Sequence, residues 1–327
     1  MLPVTPRARV IIDNDFAGDP DDLFALAHQL LSPSTTVPFV IGSHLSVGDP
    51  FDSSEQQAEH AVAIACELIE LIGLGGRVPV HQGSNQGLHA VTEPLRSPAS
   101  DAIIAEALRE DTDLPLFATV GGGLTDLASA LMLEPRVADR MTVVWVGGAE
   151  HPGEASPHPG DSTIEYNLNI DVSAAQYVFN HSSVRLWQVP RNVYRQALVS
   201  LGEIDARVRP LGQLGSRLAG AIEGVREMAA AHGFNLGETY ALGDSPLVLL
   251  TALQSPFEPD PASSTYVTVP TPTLQADGSY APNPEGRPMR LYRTVDTRLM
   301  FEDMFTKLAD FARRSSGSSQ PAGRLGA

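Results

Sequence analysis

Val10-Ile11-Ile12-Asp13-Asn14-Asp15-Phe16-Ala17-Gly18-Asp19-Pro20-Asp21-Asp22 decides how this chain is read. Arg9 to Ile12 reads as a short buried strand, Gly18 and Pro20 mark a loop, and Asp22-Leu23-Phe24-Ala25-Leu26-Ala27 begins an apolar-periodic helix. Five aspartates fall within the ten residues from 13 to 22, and they stand where a strand ends and a helix starts. In an open α/β sheet that is where ligands bind, outside the carboxyl ends of the strands. Like charges this close raise one another's pKa unless a cation or several hydrogen bonds compensate them. A hard divalent ion with oxygen ligands, Ca²⁺ or Mg²⁺, is the matching partner. The plainer alternative, an acidic turn followed by a capped helix, suits Asp19 alone better than the whole cluster.

Outward from this stretch, apolar runs and helical patterns alternate for most of the chain. Candidate strands are Val10–Ile12, Val37–Ile41, Val78–His81, Leu116–Val120, Thr142–Val146 and Val184–Gln188. Candidate helices are Leu23–Leu31, Glu55–Ile72, Ala102–Leu108, Thr125–Leu133, Ser173–Phe179 and Leu214–Ala231. The alternation predicts an α/β fold, an open, mostly parallel or mixed sheet flanked by helices. The stretch from Pro256 to Pro288, rich in Pro, Ser and Thr, is expected to form a surface excursion or a hairpin around Thr265–Val269. Residues 1–314 are expected to make one domain. The Ser- and Gly-rich tail, 315–327, is expected to be disordered.

With 22 Lys and Arg against 39 Asp and Glu, the chain carries a formal charge of −17. Nucleic acid and anionic membrane reward a basic face and are not expected partners. Met1 to Val10 lacks an apolar core of signal-peptide length and no later segment is long enough to span a bilayer, so a cytoplasmic protein is expected. Cys66 is the single cysteine, which excludes an intrachain disulfide and a multi-thiolate zinc site. Its apolar setting, Ala63 to Ile69, predicts a buried, inert thiol.

Four further loops could complete a site. Gly121-Gly122-Gly123-Leu124-Thr125-Asp126 follows a strand and opens a helix, and Gly147-Gly148-Ala149 follows the next strand; each also reads as a plain tight turn. Glu165, Asn167, Asn169 and Asp171 alternate at spacing two before a helix, so they could point together into a cleft, while Asp171 also suits an N-cap. Leu242-Gly243-Asp244-Ser245-Pro246 brings a lone aspartate into an apolar helix, where a cap is the ordinary explanation.

In this order the segments resemble the inosine-uridine preferring nucleoside hydrolase family from about Arg9 to Asp303. The family's opening D-x-D-x-G-x-D-D is similar to Asp13, Asp15, Asp21 and Asp22, with two extra residues between the pairs. Val78-Pro79-Val80-His81-Gln82-Gly83 resembles its V-P-V-x-x-G, and Gly122-Gly123-Leu124-Thr125-Asp126 its G-P-L-T-N. Val146-Gly147-Gly148-Ala149 is similar to M-G-G-A, and Glu165-Tyr166-Asn167 through Ala175 to E-F-N-x-x-x-D-P-x-A-A. Gly243-Asp244-Ser245-Pro246-Leu247-Val248 stands in for the final H-D-P-L-A.

The resemblance implies a Rossmann-like nucleoside hydrolase fold and Ca²⁺ held by Asp15, Asp22, Asp244 and the backbone carbonyl of Thr125. It implies that Asp15 acts as general base on an attacking water, inverting the anomeric centre without a covalent intermediate. Asp21 would take the 2′-hydroxyl, Glu165 the 5′-hydroxyl, and Asn167 would hold the ribose. Surrounding carboxylates would stabilise the oxocarbenium-like transition state of N-ribosidic cleavage. The substrate would be a small nucleoside or riboside, the role purine or pyrimidine salvage, and the assembly a homo-oligomer, dimer or tetramer.

Departures fall on the side of the leaving base. The family's histidine before the last aspartate is Gly243 here, and its G-N reads Gly48-Asp49, a carboxylate beside the sugar. His44, His81, Tyr166 and Tyr240 are the candidates to serve the leaving group. Gly243 and Asp49 therefore favour an alternative, a ribose- or nucleoside-binding protein of the same fold with weak turnover. Reading Asp13-Asn14-Asp15 as the nucleophile pair of a haloacid-dehalogenase-type phosphatase fails, because Ala17 stands where Thr or Val is needed and the only lysine is Lys307.

Overall fold

The computed structural model describes residues 3–156, 164–254 and 264–317. The strands are β1 (Ala8–Asn14), β2 (Thr35–Thr36), β3 (Val40–Gly42), β4 (Val80–Gln82), β5 (Leu116–Val120), β6 (Met141–Val146), β7 (Arg185–Val189), β8 (Leu198–Ser200), β9 (Thr239–Ala241), β10 (Thr265–Pro270), β11 (Thr273–Leu274), β12 (Tyr280–Ala281) and β13 (Pro288–Thr294). The helices are α1 (Asp21–Leu30), α2 (Gln57–Leu71), α3 (Pro98–Ala107), α4 (Thr125–Leu133), α5 (Tyr166–Ile170), α6 (Val172–Asn180), α7 (Arg191–Tyr194), α8 (Leu201–Glu203), α9 (Gly212–Ala231), α10 (Ser245–Ala252) and α11 (Thr297–Gly317).

The main sheet runs β10-β13-β7-β6-β5-β1-β3-β4, with β2 paired to β1. Every pairing in it is parallel except β10 with β13. Strand β1, an interior strand paired on both sides, is buried along its whole length, as a parallel strand covered on both faces must be. Val10 and Ile12 pack with residues of α1, α2, α9, α10 and α11, and Ile11 packs on the other face with residues of α3, α4 and α6. The alternation of a strand thus sorts Ile11 and Asp13 to one face, Ile12 and Asn14 to the other.

Several boundaries differ from the sequence reading. The strand expected from Val37 begins only at Val40, and that expected from Val78 begins at Val80. Pro38 and Pro79 lie in the lost portions and have no N–H for a ladder. Thr265–Val269 belongs to β10, which extends the main sheet through β13 rather than forming an isolated excursion; residues 256–263 of that stretch lie outside the described residues. The last helix runs to Gly317, and residues 318–327 of the expected tail also lie outside them. Cys66 is half-buried rather than in the core, because α2 turns Ala58, Ala61, Ala65, Leu68 and Ile69 inward. Among the described residues no helix is long and apolar enough to cross a membrane.

Candidate active site

Strand order reverses at β1. The chain steps from β1 through β3 to β4 on one side and returns to place β5 on the other, opening a crevice at the carboxyl ends of β1 and β5. Register pairs Asp13 with Val120, and the Gly121 N–H donates to the Asp13 carbonyl at 3.0 Å. The glycine loop consequently leaves β5 beside Asn14 and Asp15.

Gly121 is needed there. A Cβ on it would stand 1.8 Å from Asp244 Oδ2 and 2.4 Å from Asn14 Nδ2, distances no side chain tolerates. One on Gly122 would lie 3.1 Å from Asp15 Cγ. The loop is therefore a close approach of backbone to carboxylates, not merely a tight turn.

Around it a cavity of about 320 Å³ is lined by Asp15, Asp19, Asp21, Glu165 and Asp244, with Asn167, Tyr166, Tyr194, Phe51 and Arg195 among the remaining wall residues. Five carboxylates face one guanidinium, so the cavity favours positive charge. A larger cavity of about 400 Å³ lies against His151, Tyr280 and several prolines, but it lacks a comparable convergence of carboxylates.

Ligand oxygens of Asp21, Asp22 and Asp244 lie within 4.8 Å of one another. Burial, followed by repulsion from Asp22, holds the Asp15 carboxyl well above its ordinary range. Burial and repulsion from Asp244 do the same to Asp22, and burial and repulsion from Asp21 to Asp244. Asp15 Oδ2 and Asp22 Oδ2 are buried with no hydrogen-bond partner among the described residues. Buried oxygens left without donors are costly, and oxygen-only donors fit a hard divalent ion. The donor set thus fits a metal. Asp21 is tied to backbone: its Oδ1 accepts from Asp22 N at 3.0 Å and its Oδ2 from Asp244 N at 3.1 Å.

Asn14, which the sequence reading passed over, donates from its side-chain amide to both Asp22 and Asp244. Its only sequence signal was being the neutral, hydrogen-bond-donating member of the acidic run. Tyr194, Arg195 and Phe51 were also missed, since nothing local distinguishes a cavity-lining side chain from one placed elsewhere.

Glu165 and Asn167 meet the cavity, but not through strand alternation. Residues Tyr166–Ile170 form the short helix α5, with the Glu165 side chain accepting from Leu168 N at 3.0 Å as its cap. Asn169 accordingly turns away and is exposed, bonded to Ser46. Asp171 caps α6 by accepting from Ala174 N at 2.9 Å. The Asn167 amide donates to the carbonyls of Gly121 at 2.9 Å and Val146 at 2.8 Å, stapling two loops and leaving its own carbonyl oxygen for a ligand. Glu165 Oε2 also accepts from Gly148 N at 2.6 Å, and Oε1 from the Tyr194 hydroxyl at 2.7 Å.

Asp49 is buried behind the wall, accepting from the Tyr166 hydroxyl at 2.8 Å and from Phe51 N at 2.9 Å. Thr125 begins α4; its hydroxyl donates to Asp171 Oδ2 at 2.7 Å and meets His44 Nε2 at 2.9 Å. Of the four leaving-group candidates only Tyr166 lines the cavity. The other His44 ring nitrogen, Nδ1, donates to the Leu45 carbonyl, His81 packs edge-on against Phe39, and the Tyr240 hydroxyl donates to Asp19.

Residues 10–302 match the model of the family described as inosine-uridine preferring nucleoside hydrolase. Two proteins of that description are similar in part: 42% identity over 95 residues with one from Leishmania major, and 48% over 69 residues with one from Crithidia fasciculata. These matches cover 28% and 21% of the chain, and 27% and 19% of the two relatives. The chain therefore spans about a quarter of the length of the curated relatives it matches. Among solved structures, a purine-preferring ribonucleoside hydrolase from Gardnerella vaginalis superposes with a TM-score of 0.71 at 20% identity, covering 94% of this chain and 99% of that one. An inosine-uridine preferring nucleoside hydrolase from Bacillus anthracis gives 0.66 at 17% identity, covering 92% and 99%.

Proposed function

Because the chain belongs to the inosine-uridine preferring nucleoside hydrolase family, we propose that it hydrolyses the N-glycosidic bond of ribonucleosides or related N-ribosides, with Ca²⁺ held by Asp15, Asp22, Asp244 and the Thr125 carbonyl. The observation that carries this reading is the convergence of Asp15, Asp21, Asp244, Glu165 and Asn167 on one cavity at the switch point of the sheet. A divalent cation there would neutralise the carboxylates and acidify a water.

Each wall residue then has a task. Asp15, through its unpartnered Oδ2, takes the proton of the water that attacks the anomeric carbon. Asp21, fixed by two backbone N–H groups, accepts the 2′-hydroxyl. The Asn167 carbonyl oxygen and Glu165 Oε1 receive the remaining ribose hydroxyls, the 5′-hydroxyl going to Glu165. The carboxylate wall stabilises positive charge as it develops on the sugar. Asp49 acts from behind, holding Tyr166 against the ligand. Direct displacement by water inverts the anomeric centre.

Nothing on the wall at position 243 can protonate a leaving base, so substrates with good leaving groups should turn over best. Ribose release from p-nitrophenyl riboside and a nucleoside panel, with and without chelator, tests the proposal, with Asp15→Asn as the second arm. Chelation and Asp15→Asn should each abolish release while the variant keeps its circular dichroism. Release unaffected by either would overturn the assignment. Ribose binding with no turnover of any riboside would establish the binding-protein reading, which Gly243 favours. We further propose cytoplasmic residence, a salvage role and assembly as a dimer or tetramer; sedimentation analysis checks the last.

A further inference from the structure

Position 243 is empty of a side chain, yet the space beside it is filled. A Cβ on Gly243 would stand 3.2 Å from Tyr194 Cδ2 and 3.1 Å from Asp21 Oδ2, so a side chain there would need both to give by a few tenths of an ångström. Asp21 is held by two backbone bonds. Tyr194 is held at both ends. Its backbone N–H donates to the Pro190 carbonyl at 3.1 Å, and its hydroxyl donates to Glu165 Oε1 at 2.7 Å. Tyr194 reaches the cavity from α7, far in sequence from both Glu165 and Gly243, and all three line it.

We propose that Tyr194 is a positioning residue of this site: its hydroxyl orients the Glu165 carboxylate toward the substrate's 5′-hydroxyl, and its ring occupies the room that a side chain at 243 would need. The first half rests on the nucleoside hydrolase reading; the second does not. Glu165 Oε2 is already fixed by Gly148 N and Leu168 N, so Oε1 is the oxygen left to meet a ligand. Tyr194 aims that oxygen. Burial and the neighbouring Glu165 carboxylate keep the phenol pKa above its ordinary value, so the hydroxyl remains a donor at any working pH. Having spent its proton on Glu165, it is not the acid for a leaving base. The pair Tyr194 and Gly243 therefore exchanges a side chain at 243 for a rigid wall that holds the ribose.

The kinetic test compares the parent with Tyr194→Phe on p-nitrophenyl riboside and on its 5′-deoxy counterpart, which share a leaving group. The variant should lose about tenfold in kcat/KM on the riboside, the scale of one hydrogen bond to a charged group, and less than about twofold on the 5′-deoxy compound. Equal losses on both, or no loss on either, would overturn the orienting role. A parent that hydrolyses neither compound would overturn the functional reading and that half with it.

The packing half is read without turnover, from melting temperatures of Gly243→Val, Tyr194→Ala and the double variant. Gly243→Val should lower the midpoint in the parent, and the drop should shrink by about half or more when Tyr194 is already alanine, as neighbours sharing one space couple. The same drop in both backgrounds would overturn it.

Discussion

The Asn14 side-chain amide donates to the Asp244 carboxylate, a bond that joins the end of β1 to the start of α10 across 230 residues of chain. The same amide donates to Asp22 at the start of α1. Asn14 is thus the neutral clasp of the acidic centre: an amide nitrogen carries two hydrogens, and each goes to a carboxylate that would otherwise repel the other. Alternation along β1 puts Asn14 on the face of α1 and α10, and sends Asp13 to the face of α4, where Asp126 is its repelling neighbour.

Asn14→Asp replaces both donors with a further buried charge at nearly constant shape. The expected cost is about 3 kcal/mol or more, typical of leaving buried charges uncompensated. Urea denaturation of the chelated protein measures it. An unchanged midpoint would mean that the clasp contributes nothing.

Gly121→Ala should cost calcium binding, because the new Cβ would occupy the position of Asp244 Oδ2. The control is Gly220→Ala in α9, where a Cβ meets nothing within 4 Å and where alanine should stabilise by up to about 1 kcal/mol. Calorimetry with calcium and thermal melts of both variants decide the matter; full binding by Gly121→Ala would contradict the site geometry.

Acid should protect the chelated protein. Burial and mutual repulsion raise the carboxyls of Asp15, Asp22 and Asp244 well above their ordinary values. Between the unfolded value, about 4, and those raised values the folded chain binds more protons than the unfolded one, so stability falls as pH rises. The contribution is complete below about pH 4 and is lost as pH rises through the folded-state values. A bound cation reverses this by favouring the ionised form. The calcium-induced rise in melting temperature should therefore be larger at pH 8 than at pH 5. A rise independent of pH would contradict the placement of the ion among these groups.

His81→Ala should leave kcat/KM on p-nitrophenyl riboside within about twofold, the effect of an ordinary half-exposed substitution away from the site. His44→Ala should act through stability instead, since the buried ring bonds Leu45 and Thr125. A loss of activity in a fully folded His81→Ala protein would restore histidine as a candidate for the leaving group.

Much of this molecule was legible in its sequence. The alternation of apolar runs and helices predicts the sheet, and Leu116–Val120 and Thr125–Leu133 have the boundaries read for them. Such elements follow from local periodicity and from turn residues, which act over a few positions. Local information also misled. The spacing of Glu165, Asn167, Asn169 and Asp171 suggested four side chains pointing together into a cleft, whereas capping by Glu165 winds the segment into a helical turn and separates Asn169 from the cavity.

The sequence by itself determined that β1 is a buried strand ending in aspartates, and that glycines follow β5 and β6; hydrophobic patterning and backbone permissiveness are properties of short segments. Only the tertiary structure decided that Asn14 clasps Asp22 to Asp244, that Tyr194 lines the cavity beside Gly243, and that His44 and His81 stay outside it. Those relationships join segments up to 230 residues apart. They depend on the reversal of strand order at β1, which brings the ends of β1 and β5 to one crevice, where Asp21 of α1, Tyr194 of α7 and Asp244 at the start of α10 line the cavity, and no local pattern encodes the packing that decides which side chains meet there.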